Sequence, residues 1–293
     1  MSEGLICNNI SKKYKDKEVL HGINLTLERG KIYGMIGRNG AGKTTLLSIM
    51  SAQNPQTVGT VTLDGETVWE NRKILDHICF SREIIPSAGS GTLGAMKIKD
   101  YLKAAEIYYP NWDKELADKL MQEFQLNKKD KLGKISKGML SMVTIIVALA
   151  SKAEFTFLDE PTSGLDVVMR EYFYRLLLEE YEKTNRTFLI STHIIEEAAN
   201  IFEETLIIRN GELLLKENTQ DLVERAFHIS GKAEDVDAAT EGLTRHHEEI
   251  IGRGKSVTVL LEAGESIREG YDVMIQPVSL QNLFVALCGI GEA

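Results

Sequence analysis

Eight residues, GRNGAGKT from Gly37 to Thr44, have the types and spacing needed to hold a phosphate. Glycines let the backbone turn tightly enough for successive N–H groups to converge on phosphate oxygens. Lys43 brings an ammonium to the β- and γ-phosphates, and the Thr44 hydroxyl is a ligand for Mg²⁺. The pattern G-x-x-x-x-G-K-[ST] carries weight only between a strand and a helix. Both flank it: KIYGMIG (31–37) is a continuous apolar run, the mark of a buried parallel strand, and TTLLSIMS (44–51) has a helical pattern. The positive end of that helix points at the same anion. ATP with Mg²⁺ is the expected cofactor, cradled by Gly37, Arg38, Asn39, Gly40, Ala41, Gly42, Lys43, Thr44 and Thr45.

Two further stretches supply acids and a base. In FTFLDEP (155–161) four apolar residues end in Asp159 and Glu160, at the C-terminal end of a strand, where open α/β sheets bind ligands. Asp159 there holds Mg²⁺ through water, and Glu160 orients or deprotonates the attacking water. STHIIEEA (191–198) places His193 after another buried strand. A histidine at a strand end is commonly a plain hydrogen-bonding residue, but beside a phosphate loop it can contact the γ-phosphate. In KISKGMLSM (134–142) Ser136 is the cap of an apolar helix, or half of an anion site whose other half lies elsewhere.

The elements that position these residues alternate. LICNNISKKY (5–14), VLHGINLTLE (19–28) and GTVTLDGE (59–66) read as an antiparallel sheet. Residues 97–126 read as helix broken at Pro110, and 139–151 as an apolar helix. FTFLDE and TFLIST (187–192) read as buried strands around an amphipathic helix at 169–183, and TLIIRNGELLL (205–215) as a hairpin turning at Asn210-Gly211. Strand–helix–strand alternation predicts an α/β fold with a doubly wound parallel sheet. The expected organisation is a P-loop core over 1–215 with an N-terminal antiparallel β subdomain. A small C-terminal α/β domain of ferredoxin-like pattern follows over 216–293.

A net charge of −9 over 293 residues argues against a nucleic-acid partner. Cys7, Cys79 and Cys288 have no metal or disulfide spacing, which fits a reducing compartment. The N-terminal MSEGLICNNISKKY lacks a signal-peptide core, and the longest apolar run, MVTIIVALA, is nine residues against the about 20 of a membrane span. Any membrane role is expected to come through a partner. His246-His247 reads as a solvated pair rather than a metal site.

The order of the phosphate loop, ISKGM, LDEP, SGLD (163–166) and STH resembles the ATP-binding subunit of ABC transporters over about residues 3–215. That resemblance implies an ATPase working with a transmembrane permease subunit and a second nucleotide-binding subunit, identical or homologous. It implies a RecA-like core with a helical subdomain at about 84–150 that faces the transmembrane partner, and a peripheral place on the cytoplasmic face of a bacterial cell membrane. It gives Tyr14 the role of stacking on adenine and Asp166 that of crossing to the partner cassette. Glu160 becomes the catalytic glutamate, and His193 the switch histidine. Ser136, Lys137 and Gly138 become the segment that meets the partner's nucleotide. Two departures stand out. Where the family carries a glutamine entering the helical subdomain, HICFSREIIP puts Arg82 or Glu83; arginine cannot ligate Mg²⁺, Glu83 can. The signature Leu-Ser-Gly-Gly-Gln is here Ile135-Ser136-Lys137-Gly138-Met139. The wording KILDH, IKDYLKAAEIYYPNW, ISKGM and DEPTSGLD looks like bacterial exporter ATPases of the acetoin-operon and phenol-soluble-modulin type, which implies export of an amphipathic peptide or antimicrobial-like molecule. A soluble ABC-type ATPase acting on ribosome or DNA is the alternative, and a nucleotide-binding module without turnover a third reading.

Overall fold

The computed structural model describes residues 4–86 and 92–289; the portions of the expected domains at 1–3, 87–91 and 290–293 lie outside the described residues. The first half runs β1 (Leu5–Tyr14), β2 (Lys17–Leu27), β3 (Ile32–Ile36), α1 (Lys43–Met50), β4 (Val58–Leu63), β5 (Glu66–Thr67), α2 (Arg72–Leu75), β6 (Ile78–Ser81), α3 (Thr92–Ala95), α4 (Ile98–Tyr108), α5 (Lys114–Glu123) and α6 (Lys137–Ala150). It continues with β7 (Phe155–Asp159), α7 (Val167–Thr184), β8 (Thr187–Thr192), α8 (Ile195–Ala198), β9 (Glu204–Arg209), β10 (Glu212–Asn218) and α9 (Thr219–Glu224). The last part is β11 (Ala226–Lys232), α10 (Ala233–Ala239), β12 (Arg245–Ile251), β13 (Gly254–Leu260), β14 (Val273–Pro277) and α11 (Leu280–Cys288).

The central sheet has the order β10-β9-β3-β8-β7-β6. Its five inner and far strands are parallel, and β10 alone is antiparallel. Every residue of β3, β7 and β8 is buried, because a parallel strand is covered on both faces. One face packs on α1 and on the antiparallel sheet β2-β1-β4-β5, through Leu46, Leu47, Phe157, Leu189 and Leu5. The other face packs on α6 and α7 and, beyond them, on α5, through Ile146, Leu149, Phe173, Leu177 and Leu120. The carboxyl ends of β3, β7 and β8 therefore emerge together between two packed layers, and the phosphate loop, the Asp159-Glu160 pair and His193 start there.

The expected break at Pro110 divides residues 97–126 into α4 and α5. Pro110 disfavours helical geometry in the residue before it, and Tyr109 is extended (φ −92°, ψ 117°). The chain re-enters a helix only at Asp113, whose side chain accepts from Leu116 N. The hairpin between β9 and β10 turns at Asn210 (φ 50°) and Gly211 (φ 82°), the paired left-handed conformation of a tight hairpin turn.

The expected boundary at 215/216 falls inside β10, which stays in the central sheet to Asn218. Beyond it lies a separate antiparallel sheet of order β12-β13-β11-β14, with its own core of Ile229, Val236, Val257 and Val259. That order, with α10 crossing between β11 and β12, is the split β-α-β arrangement. The second helix of that pattern is missing: residues 261–272 carry none. The last helix, α11, touches β12 of its own sheet and enters the main core through Leu280, Leu283 and Leu287, and the Arg209 guanidinium donates to Leu287 O at 2.9 Å.

Candidate active site

The phosphate loop leaves β3 and enters α1 through Gly40 (φ 82°) and Gly42 (φ 106°), a conformation that side-chain-bearing residues rarely adopt. Lys43 folds back along the loop. Its Nζ donates to Gly37 O at 2.6 Å and Arg38 O at 3.4 Å. Burial pushes this ammonium below the usual lysine range, and the carboxylates of Glu160 and Asp159 oppose that shift. The Thr44 hydroxyl, in the first turn of α1, donates to Asp159 Oδ2 at 2.6 Å.

Asp159 ends β7, opposite Ser191 of β8 in the parallel ladder. The Ser191 hydroxyl donates to Asp159 Oδ1 at 2.9 Å, so both carboxylate oxygens are fixed. Ser191 was not singled out from the sequence, although it opens the S-T-H triplet. Glu160 follows with φ 50°, a left-handed conformation that costs an L-residue about 1–2 kcal/mol. Its N–H donates to Ser191 O at 2.9 Å, which holds the turn and lifts the side chain off the sheet end. His193 Nδ1 lies 2.6 Å from Glu160 Oε2, leaving Nε2 as the ring nitrogen available to a phosphate.

A cavity of about 320 Å³ joins these parts, lined by residues 38–45, Asp159, Glu160, Lys17 and Val19. Lys17 and Val19, at the start of β2, carry no local sequence signal; pairing of β1 with β2 brings them there. Tyr14 does not line this cavity. Its ring is 45% exposed, carries the Lys12 ammonium 4.8 Å above its centroid, and accepts at Oη from Asn54. Among the described residues, no three His, Cys, Asp or Glu side chains converge to hold a metal. Thr44 and Asp159 would offer oxygen to a cation here. That hard donor set fits Mg²⁺.

The remaining candidates form a second cluster. Ser136 caps α6, accepting from Met139 N at 3.2 Å, and Asp166 caps α7, accepting from Met169 N at 2.9 Å. The two helix starts touch. A Cβ on Gly138 would stand 2.6 Å from Gly164 O, and the Ser141 hydroxyl donates to Ser163 O at 2.6 Å. Ser136, Lys137 and Gly138 are absent from the lining of the phosphate cavity. The two departures from the resembling family meet here: Lys137 Nζ pairs with Glu83 Oε1 at 3.1 Å. Glu83 lines the same cleft as Thr44 and Asp159, with its carboxylate engaged by that lysine.

Residues 20–163 match the family described as ABC transporter. The chain carries an ABC transporter ATP-binding domain. Similar proteins are the ABC transporter ATP-binding protein YtrB of Bacillus subtilis (25% identity, 96% of each chain) and the bacitracin transport ATP-binding protein BcrA of Bacillus licheniformis (27% identity, 99% of each). The Nod factor export ATP-binding protein I of Burkholderia orbicola is 28% identical over 96% of this chain and 95% of its own. Among solved structures, the ATP-binding subunit of an ABC transporter matches with a TM-score of 0.64 at 22% identity, over 75% of this chain and 92% of its own. A dimeric cassette in a post-hydrolysis state bound to ADP and Pi matches with 0.63 at 22% identity, over 73% and 98%. The cassette fold and the expected α/β class are thus observed. The protein is an ATP-binding subunit of the ABC transporter class, an ATPase. Among the described residues, no helix is long and apolar enough to cross a membrane.

In this ABC cassette Gly138→Ala is expected to lower ATP turnover by one to two orders of magnitude, because the methyl group forces the α6 start away from Gly164 O. Steady-state ATPase assays check this. A parent-like rate would mean that the contact between the two helix starts is not needed for turnover.

Proposed function

We propose that two such chains, or this chain and a homologue, close head to tail around two ATP molecules and drive a membrane permease. The observation that carries this reading is the separation within one chain: the phosphate cavity lacks Ser136, Lys137 and Gly138, which stand exposed or half-buried at a capped helix start. A helix start with a serine cap is an anion site. A chain whose own phosphate loop already holds the triphosphate has use for that second site only on another chain's nucleotide. Asp166 and the exposed Val167 and Val168 after it extend the face that meets the partner.

In the closed pair Lys43 and the loop amides bind the β- and γ-phosphates. Glu160 takes a proton from the attacking water as the γ-phosphorus–oxygen bond to ADP breaks, and phosphate leaves. His193, steadied through Nδ1 by Glu160, contacts the γ-phosphate through Nε2. Thr44 and Asp159 would hold Mg²⁺, which neutralises charge on the phosphates. Tyr14 serves adenine after turning from its Lys12 contact. Glu83 could join the cation's shell only by releasing Lys137.

The permease docks in the cleft of about 820 Å³ between core and helical subdomain, lined by Ile84, Ile85, Leu93, Tyr101 and Tyr108. Ile85 and Tyr108 are 54 and 44% exposed there, an apolar opening of the kind that marks an interface. This places the chain at the cytoplasmic face of the membrane. Relatives named for bacitracin transport and Nod factor export favour an exporter over work on ribosome or DNA. The cargo we assign is an amphipathic peptide or antimicrobial-like molecule. The unit from about residue 219 onward serves as an accessory domain.

The test is ATP turnover against protein concentration, together with transport of a labelled amphipathic peptide by the chain reconstituted with its permease. Turnover per chain should rise as chains pair. A rate independent of concentration from a strictly monomeric chain would overturn the two-chain site, and no ATP-dependent peptide movement would overturn the cargo.

A further inference from the structure

The basic stretch that precedes the α6 start has no task in the site above. Residues 128–134 hold Lys128, Lys129, Lys131 and Lys134 against Asp130 alone. In sequence this reads as a solvated turn. The fold adds a second basic segment to it. Ile98 N donates to Asp130 O at 2.9 Å, Lys99 N to Lys128 O at 3.1 Å, and Leu132 N to Met96 O at 2.9 Å. Lys97 and Lys131 are direct partners in an antiparallel bridge.

Like charges placed opposite one another in such a bridge are destabilising. Lys128 alone is relieved, by Asp118 at 2.5 Å. Among the described residues, Lys97, Lys99, Lys129, Lys131 and Lys134 have no carboxylate partner. All five are exposed or half-buried. Residues 84–137 carry ten lysines and no arginine against seven carboxylates, in a chain whose total is −9. This segment is therefore net positive within an acidic molecule.

We propose that this lysine face, built by residues 97–99 and 128–134, docks on anionic phospholipid headgroups and orients the cassette against the membrane beside its permease. Three features select that occupant. Lysines are mobile point charges suited to a diffuse anionic surface, whereas arginine forks suit fixed bidentate ligands. The face is open: the hollow between its segments, about 440 Å³, is lined by Pro86, Gly94, Ala95, Lys131, Gly133 and Lys134. It also continues into the cleft assigned to the permease, whose lining includes Ile84, Ile85 and Leu93. The proposal rests on the reading that this cleft faces the permease. Repulsion between the acidic remainder and the same membrane leaves one orientation favoured.

The test uses the full chain without permease. Co-sedimentation with vesicles of phosphatidylcholine alone is compared with vesicles holding one-quarter phosphatidylglycerol, at low and at high salt. Binding is expected only to the anionic vesicles and is expected to weaken with salt. Substitution of Lys129, Lys131 and Lys134 by Gln together should weaken it by roughly 100-fold. A control replacing Lys13, Lys15 and Lys183 by Gln should bind like the parent. ATP binding by the triple variant stays at the parent level, so this outcome is independent of the two-chain reading. Absence of binding to anionic vesicles, or equal loss in the control, overturns the proposal. So does loss of permease association in detergent by a variant whose parent ignores vesicles, which would assign the face to an acidic protein segment.

Discussion

Glu160→Gln is expected to lower steady-state ATP turnover by a factor of about 10² to 10⁴, the range that positioned general-base catalysis supplies. The amide keeps the size of the side chain and its hydrogen bond to His193, but it cannot take the water's proton. Lys43 and Thr44 make no hydrogen bond to Glu160, whose carboxylate reaches Lys43 only through space, so ATP affinity should stay near the parent value. Unhydrolysed ATP then keeps the two chains together, and light scattering should show a dimer that persists with ATP and dissociates with ADP. The left-handed backbone at Glu160, pinned by Ser191 O, is kept in the variant, so melting temperature should barely move. Unchanged turnover in this variant would remove Glu160 from the mechanism.

Ser136→Arg is expected to have an equally large effect by a different route. The arginine fills the position that the partner's γ-phosphate must approach, and ATP turnover should collapse to that of an isolated chain. Loss of the cap to Met139 N costs about 1 kcal/mol, a shift of a few degrees in melting, so folding is not the cause. ATP binding to the single chain should be close to normal, because the phosphate cavity does not include Ser136. Mixing gives the decisive measurement. Chains with Lys43→Ala and chains with Ser136→Arg are each inactive, yet a mixed pair contains one site with an intact loop and an intact helix start. Mixing should restore up to half of the parent turnover per pair. Parent-rate hydrolysis by Ser136→Arg alone would refute the two-chain site.

Several site residues were readable because their chemistry is local. The loop from Gly37 to Thr44 encodes its own turn through glycines, and the strand and helix around it follow from apolar period. Asp159, Glu160 and His193 were readable as strand-end residues, since parallel strands in one sheet must bring their carboxyl ends to one edge. Ser191 was less visible: its role depends on lying beside Asp159 in the ladder, a relation between strands and not within one. Lys17 and Val19 were hidden for the same reason. Tyr14 shows the opposite limit, where a resemblance supplies a role that the ring's present contacts with Lys12 and Asn54 do not yet serve.

Backbone preference and hydrophobic period act over a few residues, which is why the phosphate loop, the acids at the end of β7, the capped start of α6 and the alternating α/β plan are legible along the chain. Tertiary structure alone decided the pairing of Lys137 with Glu83, the opposition of Lys97 and Lys131, and the return of α11 into the main core. Those contacts join residues far apart in the chain. They depend on where whole elements come to rest once burial, loop length and strand order have been satisfied together, and short-range spacing carries no record of that.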